Sequence, residues 1–197
     1  PRPGKFGFTA CPARGTLFFA PIFPHEDSAA FPPSAGAARR RVRRHAAAAL
    51  RARIAPTETQ KDGSILRGVV HDPTTRYMGG VAGHAGFFST ADDLAKFAQM
   101  LLNGGDGFFS PVVIKKFTIS HTPVGQPIQR GLGWDIDSPY SRNRGDLFPV
   151  GKSYGHTGFT GTSIWIDPAH DRFVVLLANR VNPTRANTKI SRVRQAL

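Results

Sequence analysis

Residues 151–168 read GKSYGHTGFTGTSIWIDP, and two incompatible readings compete for them. Gly151-Lys152-Ser153-Tyr154-Gly155 has the G-x-S-x-G spacing of a nucleophile elbow. An elbow needs a strand, a sharp turn and then a helix, so that the serine stands above a helix N-terminus. His156-Thr157-Gly158 instead suits a triad on, or entering, a strand. The residues that follow favour the strand. Gly155, Gly158 and Gly161 come in quick succession and are poor helix formers. Thr162-Ser163-Ile164-Trp165-Ile166 is rich in β-branched and aromatic side chains. The elbow also requires an acid and then a histidine downstream. Asp167 and His170 stand in that order, but in a tight loop from which neither folds back easily onto Ser153. Ser153 stays open as an alternative nucleophile.

Working outward, Arg172 to Ala178 forms the next strand candidate, joined to Thr162–Ile166 through Asp167-Pro168-Ala169-His170-Asp171. Proline and aspartate there suit a hairpin loop. Phe173-Val174-Val175-Leu176-Leu177 is apolar on both faces, which predicts a central strand covered on both sides. Gly131 to Ile136 is a further strand candidate, and Ile190 to Leu197 a final helix cut short. Upstream, Ser89-Thr90 precedes Ala91-Asp92-Asp93-Leu94, an N-cap followed by first-turn acids. Leu94, Phe97, Ala98, Leu101 and Leu102 fall at i, i+3, i+4, i+7 and i+8, a core-facing stripe. Gly104-Gly105 stops that helix. Ser110-Pro111 opens a shorter one running to about Phe117.

The N-terminal residues have a different texture. Residues 1–49 carry proline clusters and an Ala/Arg block with no sustained period of 2 or 3.6, apart from a short strand candidate at Thr16 to Ala20. Such text arises when a GC-rich gene is translated out of frame, and it also suits a disordered basic arm. The expected division is therefore a basic Pro/Ala/Arg-rich leader, 1–49, and an ordered domain, 50–197. The net charge of +13 is partly local, in Arg39, Arg40, Arg41, Arg43 and Arg44. That cluster could bind nucleic acid or an acidic surface, but it lacks interleaved aromatics and any recognisable nucleic-acid module. The chain starts without Met and has no signal-peptide layout. No apolar run reaches the roughly 18–20 residues of a membrane-spanning helix. Cys11 is the single cysteine, without organised His/Asn context, and no Cys/His cluster has zinc spacing. Neither a metal nor a cofactor is expected.

Several ordered blocks carry a resemblance. They are Arg67-Gly68-Val69-Val70-His71-Asp72-Pro73, Met78 to Leu94 (MGGVAGHAGFFSTADDL), Gly131-Leu132-Gly133-Trp134, His156 to Thr162 and Leu177-Ala178-Asn179-Arg180. Over about residues 50–197 the chain resembles the serine β-lactamase-related hydrolases. That family includes class C β-lactamases, low-molecular-weight penicillin-binding proteins and β-lactamase-like carboxylesterases. The resemblance implies an α+β fold, an α/β/α sandwich with an antiparallel sheet flanked by helices. It implies acyl transfer through an acyl-serine, on a small-molecule ester or amide, with a slight preference for carboxylesterase-like chemistry because histidine holds the triad position.

The resemblance also implies roles. His156 stands where the family places a cationic or hydrogen-bonding residue beside a proton relay, and imidazole titrates near neutral pH. Thr157 offers its hydroxyl to a substrate carboxylate or carbonyl. Gly158 lets substrate approach the strand without a Cβ clash. The backbone N–H of Phe159 is the expected oxyanion-hole donor, a type of contact worth roughly 3 kcal/mol. Tyr154 flanks the site. His84 lies near the cleft rim, as a substrate contact or as a loop-ordering histidine. His71-Asp72 reads as an ordered loop pair, and Trp134 as core.

The chain departs from the family in two motifs. No serine has Lys three places on, so S-x-x-K is absent. Tyr77, Tyr140 and Tyr154 are followed two places on by Gly79, Arg142 and His156, so Y-x-N is absent too. In the family both lie N-terminal to the matched blocks. The chain therefore reads as the C-terminal portion of such a domain, apparently incomplete, with its activity in doubt. Relatives commonly act outside the cytoplasm.

Overall fold

The computed structural model describes residues 48–196. The Thr16–Ala20 strand candidate, Cys11 and the arginines at 39–44 lie outside the described residues. A 3₁₀ turn at Ala48–Arg53 leads through α1 (Pro73–Tyr77), α2 (Ala91–Leu102) and α3 (Pro111–Thr118) to two short strands, β1 (Gln129–Arg130) and β2 (Asp135–Asp137). A 3₁₀ turn at Ser141–Asn143 precedes β3 (Tyr154–Thr157), β4 (Ser163–Asp167), β5 (Arg172–Leu176) and α4 (Ile190–Gln195).

The helices start where their caps dictate. The Asp93 N–H donates to Thr90 Oγ at 3.0 Å, which satisfies one orphan donor of α2. At its other end, the Gly104 N–H reaches the Leu101 carbonyl and the Gly105 N–H the Met100 carbonyl, a Schellman ending. Ser110 Oγ accepts from the Val113 N–H and Pro111 opens α3.

The five strands form one antiparallel sheet in chain order, β1-β2-β3-β4-β5. Alternation sorts their side chains onto two faces. Tyr154 pairs with Ile166, and Ile166 with Phe173, on the face that α2 covers. There they join Ala98, Met100 and Leu101 in the core, with Ile114 of α3 packed alongside. Burying each large aliphatic side chain contributes about 1.5–3 kcal/mol. On the opposite face Trp165 lies beneath the Arg144 guanidinium, 5.7 Å from its ring centroid. Arg144 follows the 3₁₀ turn that α4 packs against. The layers are thus helix, antiparallel sheet and helix, the α+β sandwich expected.

Two sequence expectations fail. Gly131–Ile136 is not one strand. Gly131 to Trp134 is the turn between β1 and β2, closed by the Gly131 N–H on the Trp134 carbonyl at 2.9 Å. Gly133 there has φ +80°, a conformation no extended strand contains. Trp134 remains core, stacked on Phe97 and edge-on to Tyr154 at 5.1 Å. Second, β5 is not central. Among the described residues it is the outer strand, and all five of its residues are only half-buried. Its apolar residues meet α2 on one face, while its outer edge takes no strand partner among the described residues.

Candidate functional site

After Thr157 the chain leaves β3 through a tight turn and returns as β4. The Gly158 N–H donates to the Thr162 carbonyl at 2.7 Å, and the Gly161 N–H to the Gly158 carbonyl at 3.1 Å. Residues 156–166 are nowhere helical. A Cβ on Gly158 would stand 2.2 Å from Thr162 Oγ. A side chain there would have to displace the Thr162 hydroxyl, while the next atoms of Thr162 lie at 3.6 Å or beyond.

His156 is exposed on β3. Its Nδ1 lies 2.9 Å from the Thr157 carbonyl, which can only accept, so Nδ1 carries the proton. Nε2 then faces Arg130 Nη1 at 3.5 Å as an acceptor. Arg130 sits on β1, with its guanidinium over the Tyr140 ring and 4.0 Å from the buried Asp135 carboxylate. Phe159 is 59% exposed, and no acceptor for its N–H is found among the described residues. Its carbonyl accepts from Arg180 Nε at 2.7 Å, and the Arg180 guanidinium lies 4.1 Å from its ring centroid. The His71 ring stacks on the same ring at 5.7 Å. An unbonded donor is thus carried on a residue held at its carbonyl and its ring.

His71 and Asp72 do not form a pair with each other. His71 is buried and bonds Glu58 at 3.0 Å. The Arg185 side chain donates to both Glu58 oxygens at 2.6–2.9 Å, and these bonds hold the carboxyl down to about 2. Asp72 caps α1 through the Thr75 N–H at 2.7 Å, which holds its carboxyl likewise to about 2. His84 Nε2 lies 3.1 Å from both Asp72 Oδ1 and Thr75 Oγ. It orders the loop through side chains rather than loop carbonyls. A cavity of about 750 Å³ opens between these groups, walled by Val69, His71, His84, Phe87, Phe97 and Phe159. Ser89, buried on its lining, has a hydroxyl with no partner among the described residues.

The remaining predicted site residues lie elsewhere. Ser153 is 1% exposed, and its hydroxyl donates to the Pro149 carbonyl at 2.8 Å. The chain after it is a strand, so no helix N-terminus lies beneath it. Tyr154 is sunk in the core against Trp134, and burial pushes its phenol up to about 12. Both line a smaller cavity of about 350 Å³ beside α3. Gly158, Phe159 and His84 line the larger cavity, whereas His156 and Thr157 precede them on β3 outside its lining and Ser153 and Tyr154 line the smaller one. Sequence reasoning passed over Glu58, Arg130, Arg185 and Arg194, which no motif marked, and gave Arg180 no role although it ends the Leu177–Arg180 block. Among the described residues no group of three or more His, Cys, Asp or Glu is placed to hold a metal, and no helix is long and apolar enough to cross a membrane.

Known proteins align with this chain. The Beta-lactamase family profile matches residues 27–197. A protein of Salmonella enteritidis PT4, provisionally named D-alanyl-D-alanine carboxypeptidase, is 39% identical over 132 residues, covering 64% of this chain and 30% of the relative. A Salmonella typhi protein of the same provisional name is 38% identical over 130 residues, with the same shares. The crystal structure of a β-lactamase from Mycobacterium bovis superimposes with TM-score 0.39 at 26% identity, over 55% of this chain and 44% of that one. The chain belongs to the Beta-lactamase family. It spans about 30% of the length of the curated relatives it matches.

Proposed function

We propose that this chain forms one wall of the acyl-transfer site of a β-lactamase-related serine hydrolase acting on acyl esters. One observation carries the reading: an exposed His156 on β3 with an unbonded Phe159 N–H in the turn that follows. In acyl transfer a serine oxygen attacks the substrate carbonyl, whose own oxygen gains negative charge. A fixed N–H is the group that charge needs, and removing one such donor typically lowers turnover about 10²–10³-fold. His156, with its proton engaged on the Thr157 carbonyl, keeps Nε2 as an acceptor, which a substrate proton would share with, or take from, Arg130 Nη1 at 3.5 Å. Thr157 and Gly158 continue the wall. The apolar cavity bounded by Phe159 and His84 is where an acyl group finds room.

Arg130 favours a second substrate reading. Its guanidinium beside His156 suits a substrate ending in a carboxylate, as the name of the Salmonella relatives suggests. On that reading the scissile bond is a peptide amide. The remaining alternatives are a hydrolase using Ser153 and a non-catalytic basic protein binding nucleic acid or acidic surfaces through Arg39, Arg40, Arg41, Arg43 and Arg44.

Hydrolysis of p-nitrophenyl butyrate and of a peptide ending in D-alanyl-D-alanine, by wild type, His156→Ala and Ser153→Ala, separates these readings. Loss in His156→Ala with activity kept in Ser153→Ala supports the proposal, and the preferred substrate chooses ester or amide. Loss in Ser153→Ala, with a serine-reactive phosphonate mapped to that residue, supports the elbow. No turnover and no phosphonate adduct, together with a salt-dependent shift of labelled nucleic acid, supports the binding protein.

A further inference from the structure

Arg194 is a buried cation held by backbone carbonyls. It lies on α4, is 7% exposed, and has no carboxylate partner among the described residues. Its Nε is buried with no acceptor among the described residues. A guanidinium in that position is destabilising unless its protons find strong acceptors. Burial, and then the nearby Arg180 cation, hold its pKa below the usual arginine range. What it does have is two backbone oxygens. Arg194 Nη2 donates to the Gly158 carbonyl at 2.9 Å and to the Thr162 carbonyl at 2.5 Å. These two residues open and close the turn that carries Phe159.

The Gly158 carbonyl and the Phe159 N–H are the two ends of one planar peptide unit. A cation at the oxygen end fixes that plane. It also draws electron density toward the oxygen, which makes the N–H at the other end a stronger donor. The second contact, to Thr162, holds the far leg of the turn so that the peptide cannot rotate away. Arg180 secures the next two carbonyls, Phe159 through Nε and Thr160 through its own N–H, and leaves the Gly158 carbonyl to Arg194 and the Gly161 N–H. We propose that Arg194 is a positioning residue for the oxyanion donor, aiming and polarising the Phe159 N–H through the Gly158 carbonyl. The inference rests on the Phe159 role given above.

The test reads the donor itself. In ¹⁵N-labelled protein, the base-catalysed water exchange of the unbonded Phe159 amide reports its acidity. Arg194→Gln is expected to slow that exchange several-fold and to shift the amide proton upfield. Arg194→Lys is expected to fall between it and wild type. Arg192→Gln removes the same charge from an exposed position of the same helix and is expected to leave Phe159 unchanged. Equal exchange in folded Arg194→Gln and wild type overturns the inference, as does an equal effect from Arg192→Gln. Where Arg194→Gln fails to fold, the wild type still decides. A through-hydrogen-bond coupling between Arg194 Nη2 and the Gly158 carbonyl carbon is expected, and its absence overturns the inference. None of these readouts needs turnover. A polarised amide without hydrolysis counts against the proposed function alone, and hydrolysis with an unaffected amide counts against Arg194 alone.

Discussion

Glu58 and Arg185 are joined by a bidentate ion pair, with the Arg185 backbone N–H adding a third kind of contact at 3.0 Å. The pair bridges 127 positions of sequence and fastens the first described segment to the loop before α4. Arg185 holds the Glu58 carboxyl at about 2 in the folded chain, against an ordinary value of 4.5. A depressed carboxyl binds its proton first in the unfolded state. Its contribution is therefore complete above the ordinary value and is lost as pH falls toward the folded one. Urea midpoints are expected to drop between about pH 4.5 and 2, and Glu58→Gln is expected to have a lower midpoint at neutral pH but a flatter decline through that window. A Glu58→Gln profile parallel to wild type would sink the assignment.

Phe159 is the second residue of the turn 158–161, a place where proline is favoured because its fixed φ fits and no N–H is needed for closure. Phe159→Pro therefore removes the donor and keeps the turn. Phe159→Ala removes the ring that His71 and Arg180 touch and keeps the donor. Relative to Phe159→Ala, Phe159→Pro is expected to lower ester turnover about 10²–10³-fold. Steady-state kcat of the two variants measures the difference, and equal values mean the N–H has no part in the reaction.

Local signals in the sequence carried the parts of the fold that local chemistry decides. The cap at Thr90, the stop at Gly104-Gly105 and the β4–β5 loop all lay where composition put them. The reading went wrong where long-range packing decides. An apolar run such as Phe173–Leu177 says that both faces are covered, but not whether another strand pairs at the edge. Gly131-Leu132-Gly133-Trp134 ends in strand-forming text, and its turn follows from the positive φ at Gly133. The candidate site was half legible. His156, Thr157, Gly158 and Phe159 are consecutive, so a motif could point to them. Glu58 and Arg185 act across the chain, and nothing local distinguishes them from solvated charges, whereas Arg180 stood in a marked block whose letters did not disclose its contact with Phe159. Arg194 left one trace, since it stands four residues after Ile190 and shares the buried side of α4.

Ile166 is fully buried between α2 and Phe173 at the centre of the core. Ile166→Ala removes three carbons from a site that strands on either side keep from collapsing. A loss of roughly 2–5 kcal/mol is expected from urea unfolding. Val112→Ala, at an exposed position of α3, is expected to stay within about 0.5 kcal/mol. A small effect at Ile166 would mean that the sheet does not pack on α2 as described.

Gly155 is the point where β3 can least accept a side chain. A Cβ there would stand 2.2 Å from the Ile164 carbonyl and 2.4 Å from the Trp165 ring. The first obstacle is backbone of the paired strand and cannot rotate away. The second is a side chain directly opposite in the register. Gly155→Ala must therefore push β3 from β4, and overpacking of this kind costs about 1–3 kcal/mol. Because His156 is the next residue, the same displacement should move its ring from Arg130. Trp165→Leu added to Gly155→Ala relieves the ring clash and leaves the carbonyl clash. The double variant is expected to recover only part of the lost stability relative to Trp165→Leu alone. Full recovery in urea unfolding would assign the whole constraint to the indole, and no loss in Gly155→Ala would mean that β3 and β4 are not paired in this register.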